Sequence, residues 1–250
     1  MNNLKNYVKA EVARAFARPG FTIVFFLLLA YIVLLTLRGV NSEDGINAVQ
    51  YLDSIINNIH LVFLVYGIMI FTVTLYREFQ TKTMQAAIGR GLSRKGVVAG
   101  RMLSIFWLTA IMAISITVIL ILVVIFRTDI HFVPANFRDL GATLVMELIN
   151  TPGMIYVAMV LVYLMQGSGI AALLYLLMIT GLLGKGISKL SFLPGVSVAD
   201  GLYFVTMVKG FGSKLLMGIW DWPRFLGCLA TIFLCFLLSY IFFRKRELEF

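Results

Sequence analysis

Charged residues are scarce in this sequence, and their scarcity excludes an ordinary soluble fold. Only 13% of the 250 residues are charged, whereas 60% are hydrophobic. Soluble domains carry about 25% charged and roughly 45–50% apolar residues. Long uncharged runs alternate here with short polar segments, and none of the polar segments is long enough for a core of its own. The sequence therefore predicts an all-α integral membrane protein that forms a single transmembrane domain over residues 1–250.

Cysteine, histidine and the common catalytic motifs are also nearly absent. The two cysteines, Cys228 and Cys235, lie seven residues apart in one apolar run, too far apart to form a disulfide with each other. The two histidines, His60 and His131, are far apart in sequence, and no HExxH, GxSxG or Walker A motif occurs. We therefore expect that this chain is not an enzyme and contains no catalytic, cofactor-binding or metal site.

The uncharged runs predict six transmembrane helices with both termini in the cytoplasm. The predicted spans lie at about 21–37, 59–76, 102–126, 142–166, 170–184 and 224–243. Residues 1–20 form a basic amphipathic pattern that Pro19 and Gly20 end, so they predict a helix lying in the inner membrane interface. The alternative for this helix is a surface that binds a soluble partner.

The distribution of charge supports this topology. With six spans, the whole net charge of +9 falls on the cytoplasmic segments, as the positive-inside rule expects. The basic excess is thus explained without a nucleic-acid partner. Residues 185–223 are moderately apolar, but a central Asp200 would cost a span about 2.5–3.5 kcal/mol. We interpret 185–223 as an external re-entrant or interfacial segment.

The segment between spans 2 and 3 is the most informative part of the chain. Residues 76–101 carry six of the 21 basic residues and one acidic residue, and they exceed the few residues needed to join two antiparallel spans. A short helix is predicted over 77–88, with Gly89 and Gly91 breaking it and Ser93 as the N-cap of the next helix. The pattern indicates a helix that contacts something in the cytoplasm. The alternative is a solvated basic loop that only sets topology.

Polar residues inside the predicted spans are candidates for a translocation path. Tyr66 and Thr72 give span 2 a polar face, and Glu147 falls in the outer part of span 4. An ionisable residue at membrane depth is a functional hypothesis by default. The alternatives are that the polar residues of span 2 only pack helices together, and that Glu147 lies in the interface because span 4 begins later.

The segment after span 2 resembles that of the permease subunits of type-2 ABC transporters. In that family it reads as Arg-Glu-aromatic, then Gly-Thr, then apolar residues, and then Ser-Arg before span 3. The residues that match in order are Arg77, Glu78, Phe79, Thr83, Ser93, Arg94 and Arg101. Lys82 stands where glycine is common. The resemblance extends to the N-terminal elbow helix, the six spans, the insertion between spans 5 and 6, and the basic tail.

The resemblance implies a half-transporter in the bacterial plasma membrane. Two permease subunits, identical or different, would pair among the membrane lipids, and each would rest on a separate ATPase subunit that binds ATP and magnesium. The helix after span 2 would be the coupling helix. The residues implied in docking on the ATPase are Arg77, Glu78, Phe79, Thr83, Met84, Ile88 and Arg94.

The expected cargo of such an exporter is hydrophobic or amphipathic: a peptide, a toxin or a lipid-like molecule. The alternative function, from a different class, is a membrane immunity protein that sequesters a toxin peptide without any ATPase.

Overall fold

The computed structural model describes residues 2–38, 48–76, 88–89, 91–126, 134–165, 167, 169–189 and 203–244. Within these ranges the regular structure is entirely helical, as the sequence predicts. The helices are α1 (Asn2–Phe16), α2 (Pro19–Arg38), α3 (Ala48–Phe71), α4 (Arg94–Phe126), α5 (Pro134–Met165), α6 (Gly169–Ile179), α7 (Leu182–Lys189), α8 (Phe204–Leu216) and α9 (Trp222–Arg244). A π-helix, Thr72–Tyr76, continues α3.

Five of these helices are long and apolar enough to cross a membrane. They are α2, α3 with its π-helical extension, α4, α5 and α9. The part of the chain that the structure describes is therefore that of a helical membrane protein that crosses the bilayer several times. A sixth crossing exists only if α6 and α7 count together, because they meet at an angle of 73°.

A bend between α6 and α7 falls inside the span predicted at about 170–184. Gly181 adopts a φ of +70°, in the left-handed region that favours glycine. The helix before it, α6, has 11 residues, which at 1.5 Å per residue extend over only about 16 Å. A hydrocarbon core is about 30 Å thick, so α6 alone does not cross it.

The helix α5 is the centre of the bundle. It packs against α3, α4, α6, α8 and α9, and its Ile155, Ala158, Met159 and Val162 are fully buried. It begins at Pro134, before the predicted start of span 4 near residue 142, because proline suits the first turn of a helix, where its missing N–H would have no partner anyway.

A glycine in α5 positions the helix α8. The ring of Phe204, at the start of α8, packs directly onto Gly153, where a Cβ would overlap it. Since α8 lies within the predicted external segment 185–223, this contact fixes the described part of that segment against the interior of the bundle.

The turn that leads into α4 has the predicted local chemistry. Gly91 has a φ of +86°, and its N–H donates to the carbonyl oxygen of Ile88 at 2.9 Å. The Oγ of Ser93 accepts a hydrogen bond from the N–H of Gly96 at 3.1 Å. The prediction that Ser93 is the N-cap of this helix is confirmed.

Candidate functional site

A buried arginine lies where α1, the π-helix and α4 meet. Arg101 of α4 is 2% exposed. Its Nη1 donates to Oε2 of Glu11 in α1 at 3.0 Å and to the carbonyl oxygen of Thr74 at 2.9 Å. Its Nη2 donates to the Tyr7 hydroxyl at 3.3 Å. A buried charge is tolerated when it is paired and hydrogen-bonded, and Glu11 supplies the opposite charge.

A second arginine, Arg18, binds the π-helix that continues α3. Nη1 of Arg18 donates to the carbonyl oxygen of Val73 at 2.7 Å, next to the Thr74 carbonyl that Arg101 binds. Both carbonyls belong to the π-helix, and a hydrogen bond from a charged guanidinium is stronger than one from a neutral donor. We call Tyr7, Glu11, Arg18, Arg101 and these two carbonyls the arginine cluster. It anchors the chain just before residues 77–87.

The predicted docking residues are described only in part. Ile88 is half-buried and packs against the apolar core of this chain. Nη1 of Arg94 donates to the carbonyl oxygen of Arg244 at 2.6 Å, so the start of α4 is joined to the end of α9. The other predicted docking residues, Arg77, Glu78, Phe79, Thr83 and Met84, lie outside the described residues.

A buried carboxylate links α3 to α5. Glu147 is 3% exposed, and its Oε1 lies 2.6 Å from Nδ1 of His60. Its Oε2 accepts a hydrogen bond from the Thr151 hydroxyl at 3.0 Å. The side chain of Glu147 is therefore enclosed by the bundle, with a partner on each oxygen.

These residues line a cavity of about 330 Å³ between α3, α5, α6 and α8. Its polar wall contains His60, Glu147, Asn150, Thr151 and Lys209, and the remaining lining is mostly apolar, with three methionines. The Oδ1 atom of Asn150 is buried and has no hydrogen-bond partner within the described part of the chain. An unpaired buried acceptor costs about 1–3 kcal/mol. We call this cavity the Glu147 cavity.

The three residues predicted for a translocation path do not come together. Glu147 lines the cavity. Tyr66 is fully buried elsewhere and donates to the carbonyl oxygen of Leu108 at 3.1 Å, while its ring packs with Phe21. Thr72 donates back to the carbonyl oxygen of Ile68 at 2.8 Å. The contacts of Tyr66 and Thr72 are those of helix packing.

Sequence reasoning missed His60 as the partner of Glu147, because the two residues are 87 positions apart in the sequence, and it did not place Lys209 in the same cavity. It also missed the role of Glu11. A signal for Glu11 was present, since it falls four residues after Tyr7 and four before Ala15 on the apolar face of α1. An acidic residue on an apolar helix face predicts a buried cationic partner.

The five long apolar helices define a multi-pass α-helical membrane protein, and its interior contains two buried polar clusters. Comparison with known proteins finds no matching family model and no matching curated relative. The function is therefore inferred from the residues themselves.

Proposed function

We propose that this chain is the permease subunit of an ATP-driven exporter of the type-2 ABC class, in the plasma membrane of a bacterium. A separate ATPase subunit binds ATP and magnesium, and two permease subunits form the pathway. In this proposal α1 is the elbow helix at the inner membrane surface, both termini are cytoplasmic, and 77–88 holds the coupling helix.

The observation that carries the proposal is the anchoring of the chain on both sides of the basic segment. Before it, Arg18 and Arg101 bind two backbone carbonyls of the π-helix, those of Val73 and Thr74. At the other end of the segment, Arg101 belongs to α4 itself, and Arg94 joins α4 to α9. A displacement of the segment would therefore be transmitted to α1, α3, α4 and α9, whereas a free loop would absorb it.

The energetics favour a stiff connection. Breaking a buried ion pair by removing one partner costs about 3–5 kcal/mol, because the other charge is left uncompensated. The Glu11–Arg101 pair, with side chains 7% and 2% exposed, is of this kind. Closure of an ATPase dimer against the segment would thus move α1 and α4 as a unit rather than separate them.

The Glu147 cavity is the part of the bundle that such a movement would reshape. Glu147 belongs to α5 and His60 to α3, so their contact joins the central helix to a helix that leads into the segment. A cavity with a carboxylate, an unpaired amide oxygen and an apolar remainder suits an amphipathic substrate with a hydrogen-bond donor. In the exporter, Glu147 and Asn150 would hold the polar group of the cargo.

Nucleotide dependence tests the proposal. Cells producing this chain together with the ATPase subunit that co-purifies with it would be challenged with a panel of membrane-active peptides. The matched control carries the same ATPase with its Walker A lysine replaced by alanine. An exporter protects only with the active ATPase. Equal protection in both strains, or without any ATPase, would instead support the immunity protein that sequesters a toxin.

A further inference from the structure

A groove of about 650 Å³ lies between α1 and α4. Two exposed lysines of α1 stand at its edge, four residues apart on one helix face. The residues that line it are Leu4, Lys5, Val8, Lys9, Val12, Ala13, Leu103, Trp107 and Ile111. The groove thus combines an apolar floor with positive charge at one edge.

The floor of this groove opens to the surroundings of the bundle. Trp107 is 50% exposed and Leu103 is 42% exposed, although both belong to a membrane-spanning helix. The acidic residue of α1, Glu11, does not line the groove, because its carboxylate is turned inward to Arg101 and Arg14. The two lysines therefore meet no neutralising carboxylate among the lining residues.

We propose that this α1–α4 groove binds one anionic phospholipid. The ammonium groups of Lys5 and Lys9 would bind the phosphate-containing headgroup, and an acyl chain would lie along Leu103, Trp107 and Ile111. Basic residues at the inner membrane surface attract anionic lipids, and the mostly apolar lining of the groove suits a lipid rather than a free phosphate. The proposal rests on the placement of α1 in the membrane interface and not on ATP coupling.

Trp107 is a built-in probe of the groove. The other tryptophans of the chain are Trp220 and Trp222, so the Trp220→Phe/Trp222→Phe variant fluoresces from Trp107 alone. It would be reconstituted into phosphatidylcholine vesicles that contain a small fraction of brominated phosphatidylglycerol. We expect stronger quenching of Trp107 than with the same fraction of brominated phosphatidylcholine, and about a tenfold weaker preference for the anionic lipid after Lys5→Gln/Lys9→Gln.

Two further variants make the result interpretable. Lys185→Gln/Lys189→Gln removes two exposed lysines with the same spacing on α7 and should leave the preference unchanged. Lys5→Arg/Lys9→Arg keeps both charges and should retain the preference for the anionic lipid, which separates loss of charge from loss of folding.

Equal quenching by both brominated lipids would overturn the proposal, as would an unchanged preference in the Lys5→Gln/Lys9→Gln variant. The absence of quenching by either lipid would also overturn it and would indicate that a protein surface, such as a second copy of the chain, covers the groove. No nucleotide is needed, so failure here is distinct from failure of the exporter proposal.

Discussion

Oε2 of Glu11 in α1 lies 3.0 Å from Nη1 of Arg101 in α4, across 90 residues of sequence, and both side chains are buried. This ion pair joins the N-terminal helix to the helix that follows the basic segment. The nearby Tyr7 hydroxyl shares the site, and its burial raises the pKa of Tyr7, so it stays protonated as a neutral partner.

Replacing one member of this pair should destabilise the protein strongly. In Arg101→Gln, Glu11 keeps only its half-exposed partner Arg14, and we expect a loss of about 3 kcal/mol of unfolding free energy, measured by denaturation in detergent micelles. The double variant Glu11→Gln/Arg101→Gln should lose less than the sum of the two single variants, since neither charge is left alone. Arg94→Gln is the matched control, because its hydrogen bond to the Arg244 carbonyl is exposed. A loss in Arg101→Gln as small as that in Arg94→Gln would contradict the anchoring role.

The Glu147 cavity predicts a selective loss of activity. Glu147→Gln keeps the size of the side chain but removes its charge, so the protein should fold while ATP-dependent peptide protection falls about tenfold, the effect of losing roughly 1.4 kcal/mol of interaction. Tyr66→Phe is the control: it removes a hydrogen bond to Leu108 away from the cavity and should leave protection within about twofold. If Tyr66→Phe impairs protection and Glu147→Gln does not, the path runs elsewhere.

The contact between Gly153 and Phe204 predicts a steric effect within α5. In Gly153→Ala the new methyl group would overlap the ring of Phe204, so we expect a loss of about 1–3 kcal/mol, as for other overpacked sites. Gly141→Ala, in the same helix, has no atom within 4 Å of its added Cβ and should cost nothing. Thermal unfolding in detergent compares the two. Recovery of Gly153→Ala by a second change, Phe204→Leu, would identify the ring as the cause, and equal behaviour of the two alanine variants would refute it.

The sequence predicts the local features of this fold well. Uncharged runs predict α2, α3, α4 and α9 because burial in lipid requires apolar residues throughout a span. Ser93 was recognised because N-cap chemistry depends on neighbouring residues alone. The bend at Gly181 carries no charge or proline to mark it, so it was missed.

The pairs of residues that are distant in sequence could not be predicted for a different reason. Glu11 with Arg101, and His60 with Glu147, are brought together by helix packing. One sequence shows which residues are polar within an apolar run, but not which of them face each other across the bundle. The residues of the candidate cavity could therefore be named singly, as Glu147 was, and not as a set.

An ion triad at the junction of α8 and α9 predicts a pH effect. Asp221 accepts contacts from Nζ of Lys214 at 2.9 Å and from Nη1 of Arg224 at 3.2 Å. The hydrogen bond from Lys214, helped by the positive charges of both residues, lowers the pKa of Asp221 below its ordinary value of 3.8. The stabilisation is therefore fully present above that ordinary value and is lost as the pH falls through the lowered pKa of the folded state.

Thermal unfolding as a function of pH tests this triad. The difference in Tm between the unmodified protein and Asp221→Asn should be constant from about pH 5 to 8 and should shrink below about pH 4. Asp139→Asn is the control, because the Arg138–Asp139 pair is more exposed and screened by solvent, and it should change Tm less. A difference that grows on acidification would show that the lowered pKa is not the source of the stabilisation.

The central claim is that the basic segment transmits the cycle of a partner ATPase. The most direct test is the vanadate-sensitive ATP hydrolysis of the complex isolated through this chain from its own membranes, per mole of permease. The account predicts that Glu78→Ala/Phe79→Ala lowers this hydrolysis at least about tenfold, while Lys185→Ala/Lys189→Ala, two exposed changes on α7, leaves it unchanged. Equal hydrolysis in both variants, at the level of the unmodified protein, would contradict it.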